Sequence, residues 1–173
     1  MLQELDFKAM AAMIAVRDWY RPRSRILEEV GLKAGFHVLD FGCGPGSYAV
    51  LAAEMVGETG RVFALDVNPL AVRMVAEKAA KKGHGNVRTI LSDCATSLAD
   101  GSVDVILLYD VFHDLNDRGD VLRELRRVLK SGGILSFSDH HVKEDEVLKA
   151  FTADGLFALA GKGRFTYTFS VSG

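Results

Sequence analysis

From His37 to Ser138 short apolar runs alternate with amphipathic stretches, and this alternation organises most of the chain. His37–Phe41, Arg61–Val67, Val87–Leu91, Val103–Tyr109 and Ile134–Ser138 are mostly apolar and short, the pattern of strands buried on both faces. Tyr48–Val56, Pro69–Lys82 and Asp117–Lys130 read as the helices between them. In the last, Val121, Leu122, Leu125, Val128 and Leu129 recur at helical spacing, while Arg123, Glu124, Arg126 and Arg127 face elsewhere. Strands separated by helices predict an α/β fold, a doubly wound parallel sheet with helices on both faces.

The two ends depart from this rhythm. After a helix over Glu144–Asp154 come two strand-like runs, Phe157–Ala160 and Arg164–Val171. Their short link, Gly161-Lys162-Gly163, suits an antiparallel hairpin, and Thr166, Tyr167, Thr168 and Phe169 have high strand preference. The prediction is therefore seven strands, five parallel plus a C-terminal antiparallel hairpin. At the other end, Glu4–Tyr20 reads as a helix broken by Arg21-Pro22. A second helix over Ser24–Val30 has Ser24 as N-cap and Gly31 as stop. Residues 1–31 are expected to form a helical cover and 32–173 the rest of one compact domain.

Composition narrows the class without changing this picture. Hydrophobic residues make up 49% and charged residues 25% of 173, which excludes disorder and a mainly transmembrane protein. Lys and Arg number 21 against 23 acids, so no global attraction to nucleic acid follows. Arg123, Arg126, Arg127 and Lys130 read as a solvated face. Cys43 and Cys94 are too few for a disulfide framework and lack zinc-site spacing, which makes a reducing cytoplasm the expected location. Met1–Leu5 has no basic residue of the kind that opens a secretory signal, and the apolar stretch Ala9–Val16 is too short to cross a bilayer.

The candidate chemistry lies at the strand ends. Asp40-Phe41-Gly42-Cys43-Gly44-Pro45-Gly46 turns the first strand into a helix, with glycines that permit a sharp turn and close ligand approach. Position 47 is serine, so the G-x-G-x-x-G dinucleotide pattern lacks its third glycine. Asp40 would repel a pyrophosphate there and attract a cationic or amine-bearing group. Asp66 ends the second strand where a carboxylate can accept from a ribose diol, with Val67 beside it. Asp93 follows the third strand. Each aspartate alone fits a turn or cap; three in register with the glycine loop point to a ligand.

On Asp40–Gly46 the sequence resembles class I S-adenosylmethionine-dependent methyltransferases, whose D-x-G-x-G-x-G motif it matches in full. Leu129-Lys130-Ser131-Gly132-Gly133 is similar to the family's L-K-P-G-G turn, with serine for proline. The resemblance runs from Val38 to the chain's end and implies a Rossmann-like sheet with S-adenosylmethionine as cofactor. It implies that Asp40 serves the methionine amino group and that Gly42, Cys43, Gly44 and Gly46 pack along the cofactor. It places Asp66 and Val67 at the ribose, Asp93 and the Cys94 backbone at the adenine, and Asp110 beside the methionine.

Methyl transfer needs alignment and a free lone pair on the acceptor, with a general base only where that acceptor carries a proton. His113, in Tyr109-Asp110-Val111-Phe112-His113, is the first candidate base; capping the next helix is an equal reading. His140 is a second candidate. Asp139-His140-His141 follows the fifth strand, and neighbours in a strand point to opposite faces, so no metal is expected. The planar-amine signature D/N-P-P-Y/F and a Pro-Cys nucleophile are both absent. The expected partner is a small-molecule acceptor, with no nucleic acid and no membrane. Met10, Met13, Trp19 and Tyr20 suit an apolar lid, core packing or a homodimer contact. Two rivals stay open: a non-catalytic S-adenosylmethionine sensor, and a nicotinamide oxidoreductase, which Asp40 and Ser47 disfavour.

Overall fold

The computed structural model describes residues 23–172. The predicted helix over Glu4–Tyr20, its break at Arg21-Pro22 and the proposed lid residues lie outside them. The described chain runs α1 (Arg23–Val30), β1 (His37–Phe41), α2 (Ser47–Val56), β2 (Arg61–Asp66), α3 (Pro69–Lys81), β3 (Val87–Leu91), β4 (Val103–Tyr109), α4 (Arg118–Val128), β5 (Leu129–Ser138), α5 (Glu144–Thr152), β6 (Phe157–Lys162) and β7 (Tyr167–Val171). All seven strands form one sheet in the order β3-β2-β1-β4-β5-β7-β6, parallel through β5 and antiparallel in the last two pairings.

Both faces of the sheet are covered, which is why its strands carry apolar residues at successive positions. Leu39, Phe41, Leu65, Ile106, Leu108, Leu135 and Phe137 pack on one side with Val121, Leu122 and Leu125 of α4 and Val147 and Phe151 of α5. Val38, Val62, Ala64, Val105 and Leu107 face the other way, onto Leu27 and Val30 of α1, Ala49, Ala52 and Ala53 of α2 and Val75 of α3. Thus α1 shares the core of the sheet domain.

Several boundaries differ from the sequence reading. Arg23 already lies in α1, so Ser24 is inside the helix and does not cap it. The helix predicted to Lys130 ends at Val128, because Leu129 pairs with Val103 in a bulged start to β5. Gly133 is required there: a Cβ would lie 2.7 Å from Leu129 Cδ1 and 2.8 Å from the Asp104 carbonyl. In the hairpin, Gly161 and Lys162 belong to the ladder, opposite Thr168 and Tyr167, and the turn falls over 163–166. That turn is fastened from far away. Glu29 of α1 accepts from the backbone N–H groups of Arg164, Phe165 and Thr166 and from the Thr166 hydroxyl.

Chain connections reverse direction between β1 and β4, which lie side by side at the centre. In such sheets the strands' carboxyl ends open a crevice at this switch point. The glycine loop and the strand-end aspartates all converge on it.

Candidate active site

A cavity of about 1400 Å³ occupies that crevice. Asp40, next to last in β1, is 2% exposed, and its Oδ2 is buried with no hydrogen-bond partner among the described residues. Burial raises its pKa to about 7; the Arg23 guanidinium opposes the rise and Asp66 adds to it. Arg23 also lines the cavity, its guanidinium carbon 4.2 Å from the centroid of the Tyr48 ring. A buried carboxylate oxygen left without a donor is costly, and an ammonium group from a ligand would satisfy it.

The loop after Asp40 is held from several sides. Gly42 and Cys43 N–H groups donate to the Leu65 carbonyl at 2.8 and 2.9 Å. Gly44 N–H donates to Asp66 Oδ2 at 2.8 Å, and Lys78 Nζ donates to the Pro45 carbonyl at 2.6 Å. The three loop glycines have positive φ for different reasons. A Cβ on Gly42 would strike the Val111 side chain at 2.6 Å, and one on Gly46 would strike Val75 Cγ2 at 2.6 Å. Only Gly44 has nothing within 4 Å of that position, and it lines the cavity. Gly46 does not line it. The expectation that all three glycines pack against a ligand therefore divides: Gly44 leaves ligand space, Gly46 admits helix α3, and Gly42 lines the cavity while admitting Val111 from the loop after β4.

Asp66 has a task the sequence did not reveal. Its carboxylate accepts from Gly44 N–H and from Asn68 N–H, 2.8 Å each, so it braces the loop as well as facing the cavity. Val67 is 69% exposed on the cavity rim, an apolar side chain open to a flat ligand. Asp93 and Cys94 line the same end, where Cys94 N–H donates to Ser92 Oγ at 3.2 Å. Their loop is anchored by Glu124 of α4, which accepts from the Thr96 N–H (2.9 Å) and hydroxyl (2.6 Å). The Arg127 guanidinium on Glu124, joined by these Thr96 bonds, lowers its pKa to about 2. Glu124 thus does not simply face solvent. The basic residues of α4 are also engaged: Arg123 with Asp120, Arg127 with Asp100 and Glu124, and Arg126 with the Ser172 carbonyl.

At the ends of β4 and β5 the structure assembles a group of acids and imidazoles. Asp110 has φ 51°, a rare left-handed setting for a non-glycine residue, and its N–H donates to the Ser138 carbonyl at 2.8 Å. Its Oδ1 lies 2.7 Å from His140 Nδ1. Asp139, with a fully buried side chain, takes the His113 N–H at 3.1 Å and sits 2.9 Å from His113 Nδ1. Burial pushes the Asp139 carboxyl up, but the His113 bond and backbone donors outweigh it, leaving it below its ordinary value. The His141 ring lies 4.3 Å from that of His113 and 4.0 Å from that of His140. Strand alternation does not separate these residues, because β5 ends at Ser138 and 139–141 lie in the following loop. Asp110 and Asp114 line the cavity; His113 and His140 do not line it, though His113 Nε2 lies 3.3 Å from Asp114 Oδ2.

The sequence reading missed Arg23, Tyr48, Glu124 and the part played by Asp139. Asp139 was within reach, as one more acid at a strand's carboxyl end. Arg23 gave no signal, since only the docking of α1 brings it to the crevice.

A family model described as a methyltransferase domain matches residues 32–169. The crystal structure of an S-adenosylmethionine-dependent methyltransferase from Aquifex aeolicus is similar with a TM-score of 0.74 and 31% identity, covering 86% of each chain. A demethylmenaquinone methyltransferase of Geobacillus kaustophilus is 28% identical over 129 residues, 74% of this chain and 55% of its own. An arsenite methyltransferase of Aquipseudomonas alcaligenes is 36% identical over 130 residues, 66% of this chain and 38% of its own. The chain spans about half the length of the curated relatives it matches. Among the described residues, no helix is long and apolar enough to cross a membrane. With the motif Asp40–Gly46 at the switch point of this sheet and the family model covering most of the domain, the chain belongs to the class I S-adenosylmethionine-dependent methyltransferases.

Proposed function

We propose that the protein transfers the methyl group of S-adenosylmethionine to a small-molecule acceptor. The observation that carries this reading is the buried, unpartnered Asp40 oxygen in a cavity floored by the open Gly44. The residues fit the cofactor's parts. Asp40 would hold the amino group, Arg23 the carboxylate, Asp66 the ribose hydroxyls, and Val67 with the Asp93–Cys94 loop the adenine. The bound cofactor supplies an electrophilic methyl on a sulfonium. The protein's work is to align the acceptor and to exclude water.

The acceptor side is read as the ends of β4 and β5, where Asp110 and Asp114 line the cavity. His113, whose ring is held by the buried Asp139 beside the cavity-lining Asp114, is kept as the candidate base for an acceptor that carries a proton. The curated relatives named above act on small molecules by their names, which supports a small acceptor here.

Calorimetric titration with S-adenosylhomocysteine, with NADH as control, tests the reading. Micromolar binding of the first and none of the second is expected, followed by methyl transfer from labelled cofactor across an acceptor panel. Cofactor binding with no transfer to any acceptor class would favour a sensor. Absence of binding by the folded protein would overturn both.

A further inference from the structure

We infer that Glu29 is a positioning residue for cofactor binding: by fastening α1 to the β6–β7 turn it holds Arg23 at the cavity wall, where a ligand carboxylate would meet it. The two side chains belong to one helix and stand six positions apart (23 to 29), roughly 9 Å along its axis. At one end the Arg23 guanidinium lines the cavity and lies over the Tyr48 ring of α2. At the other, Glu29 Oε1 accepts from the N–H groups of Phe165 and Thr166 and from the Thr166 hydroxyl, while Oε2 accepts from the Arg164 N–H.

The tie matters because α1 is short. Eight residues are too few for a helix to persist by itself, so contacts with the rest of the fold set its position. Leu27 and Val30 sink one stripe into the core and fix the depth of the helix. Arg23 continues that stripe, four residues before Leu27, so its reach into the cavity follows the roll of the helix. Glu29 lies off the stripe and resists that roll from the side. The turn it grips is firmly held. Thr166 is buried, Gly163 N–H donates to the Thr166 carbonyl at 2.8 Å, and β7 pairs with β5 as well as β6. Gly163 also makes room for the contact, since a Cβ there would collide with the Glu29 carboxylate.

This inference rests on the function proposed above, in which Arg23 meets the carboxylate of the cofactor's methionine part. It gives the β6–β7 hairpin, none of whose residues lines the cavity, a share in cofactor affinity. Loosening the tie should weaken ligands that carry that carboxylate and spare those that lack it. Reciprocally, a carboxylate-bearing ligand should slow hydrogen exchange over 163–166.

The test is calorimetry on the full chain, well below its melting temperature. It compares S-adenosylhomocysteine with 5′-methylthioadenosine, which keeps the adenosine and sulfur but has no amino-acid part. Glu29→Ala should weaken the first by about three- to tenfold and leave the second unchanged. Glu29→Gln keeps the oxygen that takes three of the four donors and should recover most of the loss. Gly163→Ala, which expels the carboxylate from the turn, should match Glu29→Ala and replaces it if that variant does not fold. In an Arg23→Ala background the Glu29 substitution should have no further effect on affinity. Equal weakening of both ligands, or a full Glu29→Ala effect without Arg23, would mean a general loosening and overturn the inference. Unchanged S-adenosylhomocysteine affinity in Glu29→Ala would overturn it too, with the proposed function intact. Failure of the folded wild-type chain to bind S-adenosylhomocysteine would remove both.

Discussion

Asp40 holds a carboxylate where the fold disfavours charge. With its pKa raised to about 7, the free protein binds a proton there that the unfolded chain releases near pH 4. Its contribution to stability is therefore greatest below that lower value and declines as pH rises through about 7. Ligand binding should show the opposite trend. A ligand ammonium needs the carboxylate, so S-adenosylhomocysteine affinity should rise with pH up to about 7 and level off above it. Binding below pH 7 should take up the cost of deprotonation and release a proton, which calorimetry in buffers of different ionisation enthalpy would detect. The same experiment on Asp40→Asn should show no proton release. At Gly46 the expectation is structural. Alanine meets Val75 and a φ of 81°, and should cost about 1–3 kcal/mol in denaturant unfolding. Val75→Ala in the same chain should recover the steric part alone. His113→Ala should leave cofactor binding intact and, where the acceptor loses a proton, slow transfer by about 10²–10⁴-fold.

Among the elements, α1 and the β6–β7 hairpin are tied together through Glu29. Glu29 gathers three backbone donors and a hydroxyl, and these bonds outweigh its burial to hold its pKa below the ordinary value. Glu29→Ala is expected to lower stability by about 1–3 kcal/mol. Hydrogen exchange should then quicken over 163–166 before it changes in β4. The bracket joins residues more than a hundred positions apart, so no local pattern signals it. Apolar periodicity marks a strand's faces but says nothing about what reaches a turn from elsewhere. The central strands and α3 were legible because each carries its own pattern. The end of α4 was not, because Leu129 continues the helical spacing and only its pairing with Val103 draws it into the sheet. The same division holds within the site. Asp40, Asp66 and Asp93 announce themselves by position at strand ends, whereas Glu124 and Arg23 act through packing that no spacing records.

Across the whole molecule, the cavity sits where β1, β2, β3 and β4 deliver their carboxyl ends, so a ligand there touches the glycine loop, α3, the β3–β4 connection and the β4 end together. Cofactor at about 100 times its dissociation constant should add about 2.7 kcal/mol to unfolding, measurable as a rise in melting temperature that Asp66→Ala reduces. The strand order carries one more consequence, for synthesis. β7 lies between β5 and β6 and is made after both. On the ribosome β5 must wait with an open hydrogen-bonding edge until residues 167–171 emerge, about 2–7 s after Ser138 at 5–20 residues per second. During that interval β6 has no place to pair, and Glu29 has no turn to grip. The nascent chain exposes an apolar strand edge, the surface on which misassembly between neighbouring chains begins.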